Sequence, residues 1–313
     1  MDRRTLTRSP SVLALYARAA APLIPGASLL PFVPGRGDEV PGLELTLPDV
    51  EADAEAVAAY ARVCGFALRG TLPATYPHVL AFPLQLALMA DGRFPFGAVG
   101  LVHVENRVVA HRPIELGERL TLRARTTPLQ PHAKGRTFGI ETDARAGSEV
   151  VWESVSTMLR RGGGSDADAE RSRERSGEDA RSGGEPAPVT AEWRLGGDLG
   201  RRYAAVSGDR NPIHMHGLTA KALGFPRAIA HGMWTKARCL AALEPRLPDA
   251  YAVDVRFRKP ILLPGRVELT TAVDGDEIDF AVRDAREGTP HLDGHVAPIE
   301  SKQSKTSGRT KAS

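Results

Sequence analysis

Apolar positions along the first half of the chain switch between two spacings. Residues 76–89, Tyr-Pro-His-Val-Leu-Ala-Phe-Pro-Leu-Gln-Leu-Ala-Leu-Met, are apolar on nearly every side, which predicts a buried helix. Period-two runs follow. Leu120 and Leu122 alternate with Arg119, Thr121 and Arg123, while Phe138 and Ile140 alternate with Thr137, Gly139 and Glu141. Val102, Val104, Val108 and Ala110 share one parity within 99–111, and 150–159 is rich in β-formers. Such alternation between Gly- and Pro-containing turns predicts antiparallel sheet. Upstream, 48–70 reads as a helix carrying Val57, Ala58, Ala61 and Val63, with a strand at Phe66, Ala67 and Leu68. The opening faintly imitates a signal peptide, but Arg18 breaks its apolar run and Pro22 and Pro25 follow, so it reads as a short helical lead-in.

The second half begins near Val189 and repeats this order, helix before strands. Residues 234–243 are apolar mainly at helical spacing. Val253, Val255 and Phe257 then alternate with Asp254, Arg256 and Arg258; Val267, Leu269 and Thr271 with Arg266, Glu268 and Thr270; Ile278, Phe280 and Val282 with Asp279, Ala281 and Arg283. Residues 291–296 are expected to close this sheet. Between the halves, 162–188 is Gly, Ser, Asp, Glu and Arg with almost no large apolar residue. It cannot bury enough surface to offset its ordering entropy and reads as a disordered linker. The basic tail 301–313 reads the same way. The class is therefore α+β, with two units, 1–161 and 189–300.

The candidate chemistry lies in 203–243. A turn-rich loop, Ser207-Gly208-Asp209-Arg210-Asn211-Pro212, separates two helical segments and holds a carboxylate, Asp209, near an imidazole, His214. Gly208 supplies backbone freedom, Asp209 and Asn211 bond back to nearby main chain, and Pro212 pushes Asn211 out of the α region. A loop so constrained can hold an acid/base pair in fixed geometry; the same residues also suit an Asx-type helix cap followed by an unrelated histidine. Gly232 falls at the start of the next helix, where unpaired N–H groups and the positive dipole end make an anion site; a small residue for close packing is the other reading.

Tyr203, Val206, Ser207, Gly208, Asp209, Asn211, Pro212, Ile213, His214 and Ala220 together resemble the signature of the (R)-specific enoyl-CoA hydratases, the MaoC-like dehydratases of the hotdog fold. The resemblance implies two tandem hotdog domains, each an antiparallel sheet wrapped around a central helix. It implies reversible hydration and dehydration between trans-2-enoyl and (3R)-3-hydroxyacyl thioesters, with Asp209 and His214 as the catalytic pair and the Gly232 N–H on the thioester oxygen. Asn211 and Ser207 are candidates for orienting the loop or the carboxylate, and equally for simple turn formation. Tyr203 and Met233 are candidates for the pocket wall, with core packing as the alternative. Arg256, Arg258 and Lys259 are candidates for the phosphates of coenzyme A or of a phosphopantetheine arm, or form a solvated strand face. No cofactor or metal is implied, since the substrate rides on coenzyme A or an acyl carrier protein. The first half has no D-x-N-P-x-H. His78, His103, His111 and His132 accordingly read as structural or surface histidines, and the N-terminal hotdog as a non-catalytic partner in a monomeric pseudo-dimer or a homodimer.

Composition narrows the alternatives. The formal charge of +3 comes with scattered Arg and few aromatics, which argues against nucleic-acid binding. Two cysteines, Cys64 and Cys239, sit in apolar or helical contexts and suggest reduced thiols and a cytoplasmic protein. No run is long enough to span a membrane. Three rival functions remain: a hotdog acyl-thioesterase, a metal hydrolase built from Asp209, His214, His216 and His231, and a non-catalytic acyl-thioester-binding protein. The spacing of the metal set matches no compact motif, and His216 is expected to point elsewhere.

Overall fold

The computed structural model describes residues 1–20, 39–98, 100–162 and 187–300. The first half contains β1 (Asp2–Thr5), α1 (Val12–Ala20), β2 (Leu43–Val50), α2 (Ala54–Cys64), α3 (Tyr76–Met89), β3 (Val102–Ala110), β4 (Leu120–Thr126), β5 (Gln130–His132), β6 (Gly135–Ala146) and β7 (Glu149–Arg161). The second contains β8 (Val189–Leu195), α4 (Leu199–Ser207), α5 (Pro212–Met215), α6 (Gly217–Ala222), α7 (Gly232–Leu243), β9 (Tyr251–Phe257), β10 (Gly265–Asp274), β11 (Glu277–Asp284) and β12 (Pro290–Pro298). All the strands belong to one sheet, ordered β1-β2-β4-β6-β7-β3-β9-β12-β11-β10-β8, with β5 beside β6.

Strict alternation makes the sheet one-sided. Leu120, Leu122 and Ala124 of β4, Phe138, Ile140 and Ala144 of β6, Val267 and Leu269 of β10, and Ile278, Phe280 and Val282 of β11 all turn inward. The outward positions carry cross-strand ion pairs, among them Arg123–Asp143, Arg125–Glu141 and Arg266–Glu192. Helix α3, apolar all round as its sequence predicts, packs against β2, β4 and β6 and fully buries Ala81 and Leu84. Helix α7 does the same in the second half with Ala237, Cys239 and Leu240. These are two hotdog units sharing one continuous sheet.

The units join where β3 pairs antiparallel with β9, from Glu105 opposite Arg256 to Ala110 opposite Tyr251. On the inner face of that seam Lys236 of α7 is 0% exposed. Its Nζ donates to Asn106 O at 3.2 Å, Asn106 Oδ1 at 2.6 Å and Val253 O at 3.1 Å. Asn106 Nδ2 in turn donates to Ser154 and Ser156 Oγ, both at 3.1 Å. Burial pushes the Lys236 ammonium well below its ordinary range, and the three acceptors are what make its position tolerable. The same helix reaches back to α2: Trp234 Nε1 donates to Val63 O at 3.1 Å, and Arg238 donates to Cys64 O at 3.3 Å.

Several expectations need correction. The helix expected over 48–70 is only Ala54–Cys64, capped by the Asp53 side chain and ended by Gly65 in the left-handed region; residues 48–50 finish β2 instead. Phe66, Ala67 and Leu68 form no strand. After the αL turn, the Phe66 N–H bonds back to Ala61 O and the Ala67 N–H to the Glu244 carboxylate, so no ladder partner is available. The helical lead-in is present as α1, but it is preceded by a strand, β1, parallel to β2. Residues 291–296 do not close the sheet: β12 lies inside it between β9 and β11, and β8 forms the edge. Within β3 the register shifts between His103 and Glu105, so the inward parity is Asn106, Val108 and Ala110, with Val104 outside the alternation. Linker residues 163–186 and the tail 301–313 lie outside the described residues. No described helix is long and apolar enough to cross a membrane.

Replacing Lys236 with Met keeps most of the volume but leaves Asn106 Oδ1 without its donor. The expected loss is about 2–4 kcal/mol of unfolding free energy, seen as a lower urea midpoint at unchanged slope. A midpoint equal to wild type would mean the network at the seam is energetically idle.

Candidate active site

The site begins where α4 stops. Gly208 adopts φ 77°, a left-handed geometry that favours glycine, and its N–H closes on Ala204 O at 3.1 Å. Ser207 Oγ donates to Tyr203 O at 2.8 Å and accepts from Asp209 N at 3.2 Å. Asp209 Oδ1 accepts from Asn211 N at 3.2 Å, and Asn211 Oδ1 caps α5 by accepting from Ile213 N at 3.4 Å. The Asn211 side chain therefore serves the helix start, while its backbone N–H serves the carboxylate. Short helix α5, opened by Pro212, then carries His214.

His214 is buried, with Nδ1 2.8 Å from Ile229 O. A carbonyl only accepts, so Nδ1 holds the proton and Nε2 presents its lone pair. His231, immediately before Gly232, has Nε2 3.0 Å from Asp209 O and donates to it by the same reasoning. Its ring stacks on His214 with centroids 3.6 Å apart and meets Tyr203 at 4.8 Å. Titratable atoms of Asp209, His214 and His231 all lie within 4.8 Å of one another. Stacked imidazoles direct their in-plane lone pairs side by side instead of toward one point, so this is a poor chelate for a metal ion. His216, the remaining member of the metal set considered above, is exposed.

Burial pushes all these imidazoles toward the neutral form: His214 below its ordinary value, His231 to about 3, and, across the pocket, His78 to about 4 and His103 to about 3. For Asp209 burial acts upward, but His231 and His214 beside it, the Tyr16 hydroxyl and the Asn211 N–H outweigh that, and the carboxyl stays below its ordinary value. Both partner imidazoles are neutral at neutral pH. There the hydrogen bonds carry the stabilisation.

A cavity of about 570 Å³ connects these groups to both halves of the protein. Asp209, His214, His231 and Gly232 line it from the second half, and His78, Phe82, Gln85 and His103 from the first. Gly232 is the first residue of α7, where the N–H has no acceptor within the helix. A Cβ there would stand 2.9 Å from Phe257 Cε1, so the close approach of that ring is a second reason for glycine. Tyr203 and Met233 are both buried and both line the cavity. Arg256, Arg258 and Lys259 line its outer part together with Lys134 and Arg161. Arg256 pairs with Glu105 at 3.1 Å and Arg258 with Asp293 at 2.6 Å.

Three cavity or site residues escaped the reading of the sequence as participants, Tyr16, His78 and His103, and His231 entered it only as a metal ligand. Only His231 carried a nearby signal, its place directly before Gly232. Tyr16 Oη donates to Asp209 Oδ1 at 2.7 Å from 193 residues away, a contact without local trace.

Residues 182–294 match the family described as MaoC like domain. The chain is 39% identical over 297 residues to 3-hydroxyacyl-thioester dehydratase X of Mycobacterium tuberculosis, covering 92% of this chain and 98% of that protein. A crystal structure of HtdX from the same organism superimposes with a TM-score of 0.72 at 36% identity, covering 82% of this chain and all of that one. A MaoC-like dehydratase from Phytophthora capsici, at 19% identity and TM-score 0.65 over 83% of this chain and 96% of that one, shares the fold. With such identity along nearly the whole of both chains, the protein belongs to the MaoC-like dehydratase family.

Proposed function

We propose that this protein interconverts trans-2-enoyl and (3R)-3-hydroxyacyl thioesters by adding or removing water. The observation that carries this reading is the convergence of a carboxylate and a neutral imidazole with a free lone pair on one cavity, at the edge of which a helix begins with glycine. The likeness to a protein named a 3-hydroxyacyl-thioester dehydratase supports it.

In the hydration direction, water held between Asp209 and His214 loses a proton to one of them as its oxygen bonds to C3. The C2=C3 electrons move to form the enolate of the thioester, whose oxygen takes a hydrogen bond from the Gly232 N–H. A proton then returns to C2 from the pair. Dehydration is the reverse. The chemistry is proton transfer and charge stabilisation throughout and requires no redox or metal cofactor. Each positioned proton transfer contributes roughly 10²–10⁴-fold, and one oxyanion donor about 3 kcal/mol. The thioester is carried on coenzyme A or an acyl carrier protein, whose anionic groups meet the basic outer part of the cavity at Lys134, Arg161 and Lys259.

Asp209→Asn and His214→Ala are each expected to lower kcat for hydration of a trans-2-enoyl-CoA by roughly 10²–10⁴-fold, followed by loss of the conjugated-thioester absorbance. Wild-type rates in both variants would remove this pair from the mechanism, and release of free thiol by wild type would identify a thioesterase instead.

The four cavity histidines also predict acid sensitivity. Their folded values lie below the ordinary 6.5, so below that pH the unfolded chain binds more protons than the folded one. Their stabilisation is complete above about pH 6.5 and is lost as pH falls from there toward 3–4. Melting temperature should fall between pH 7.5 and 5, by less in His78→Phe. A melting temperature that rises on acidification would contradict the neutral assignment.

A further inference from the structure

We propose that Tyr16 is a positioning residue of this active site: its hydroxyl, delivered by α1, occupies one oxygen of the Asp209 carboxylate and leaves the other for proton transfer. The inference rests on the hydratase reading above and extends it to a residue of the opposite half.

The carboxylate is asymmetrically held. Oδ1 accepts both the Tyr16 O–H at 2.7 Å and the Asn211 N–H at 3.2 Å. Among the described residues, Oδ2 meets His231 Nε2 at 3.8 Å, beyond hydrogen-bond reach, and that nitrogen already donates to Asp209 O at 3.0 Å. A carboxylate with one free oxygen and one doubly bonded oxygen cannot rotate without breaking two hydrogen bonds. Oδ2 is thereby left available on a residue that lines the same cavity as His214.

Tyr16 is built into place from its own side as well. Its ring meets Phe82 of α3 at 6.5 Å, and Val12, one turn earlier, reaches within 3.8 Å of where a Cβ on Gly208 would stand. Helix α1 thus presses on the turn that sets the Asp209 backbone. The helix as a whole is not a core element, since Leu13 is 76% exposed. The phenol is pushed far above its ordinary range, first by burial and then by Asp209, so it stays a donor at every working pH.

The other groups that face Asp209 are His231 at the start of α7, His214 on α5, Tyr203 on α4, His78 on α3, His103 on β3 and the Asn211 N–H of its own loop. The histidines among them are neutral at neutral pH. Tyr16 is therefore the one side-chain hydrogen-bond donor to this carboxylate among the described residues, and removing its hydroxyl should loosen the geometry and raise the affinity of Asp209 for a proton.

The test uses the full-length protein and a trans-2-enoyl-CoA. Tyr16→Phe should lower kcat by roughly 10–100-fold, the scale of a misplaced catalytic group, with KM within about twofold and only a small fall in melting temperature from the lost hydrogen bond. Replacing Tyr16 with fluorinated tyrosines, which keep the packing but strengthen the donor, should change kcat in a graded way. In an Asp209→Asn background Tyr16→Phe should cost almost nothing, because the carboxylate it positions is gone. Full wild-type kcat in Tyr16→Phe, additive losses in the double variant, or a loss that appears as raised KM with a lowered melting temperature would each overturn the proposal and leave the hydratase reading standing. A wild type inert on both the coenzyme A and the acyl-carrier-protein thioester, by contrast, would overturn both.

Discussion

The pairing of β3 with β9 is the constraint on which everything else rests. It turns two curved sheets into one, and it sets the cavity across the boundary instead of inside either unit. A strand pair alone is a flat and slippable join. Here the register is pinned on the outer face by Arg256–Glu105 and Arg107–Asp254, and on the inner face by Lys236, which bonds to both strands from α7. The outer pairs are exposed and contribute little. The inner one is different in kind, because a buried amine with its three acceptors in place tolerates no slip: shifting either strand by one residue would leave unpaired polar groups in the core. Since α7 also begins with Gly232, the lysine that locks the seam fixes the height of the glycine N–H relative to the cavity, one helical turn away.

This arrangement places Asp209 and His214 in a setting that works against ordinary solvation. Four imidazoles line a largely buried cavity, and none has a carboxylate salt bridge strong enough to keep it charged. The site therefore rests with a single formal charge among these groups, on Asp209. A lone carboxylate facing neutral histidines can remain ionised only if hydrogen bonds replace lost water, and the loop supplies one from Asn211 N while α1 supplies the other. The half without the D-x-N-P-x-H signature thus serves the charge as well as the cavity wall.

Much of this was legible in the sequence, for reasons that can be named. Strands β4, β6, β9, β10 and β11 show because one face is apolar and the other charged. Helix α3 shows because it is apolar on every side. The 207–214 loop shows because each of its constraints is local: a glycine at positive φ, an Asx turn, a proline at the start of a helix. What stayed hidden is what depends on partners far along the chain. Strand β8 and short β1 acquire their status only by pairing with β10 and β2. Phe66, Ala67 and Leu68 look β-like but find no neighbouring strand. Lys236 reads as one polar position on an amphipathic helix until the seam closes over it. His78 and His103 look unremarkable without the fold, which carries both to the cavity they share with Asp209 and His214.

The separation between local and distant information explains why one half can carry the whole local signature. A turn that caps two helices, orients a carboxylate and tautomerises a histidine through Ile229 O needs only residues within about one short stretch, so it persists as a sequence pattern. The opposite unit has no such requirement. It must present a wall, a seam strand and, through α1, one hydroxyl at the correct distance, and each of these is set by tertiary packing.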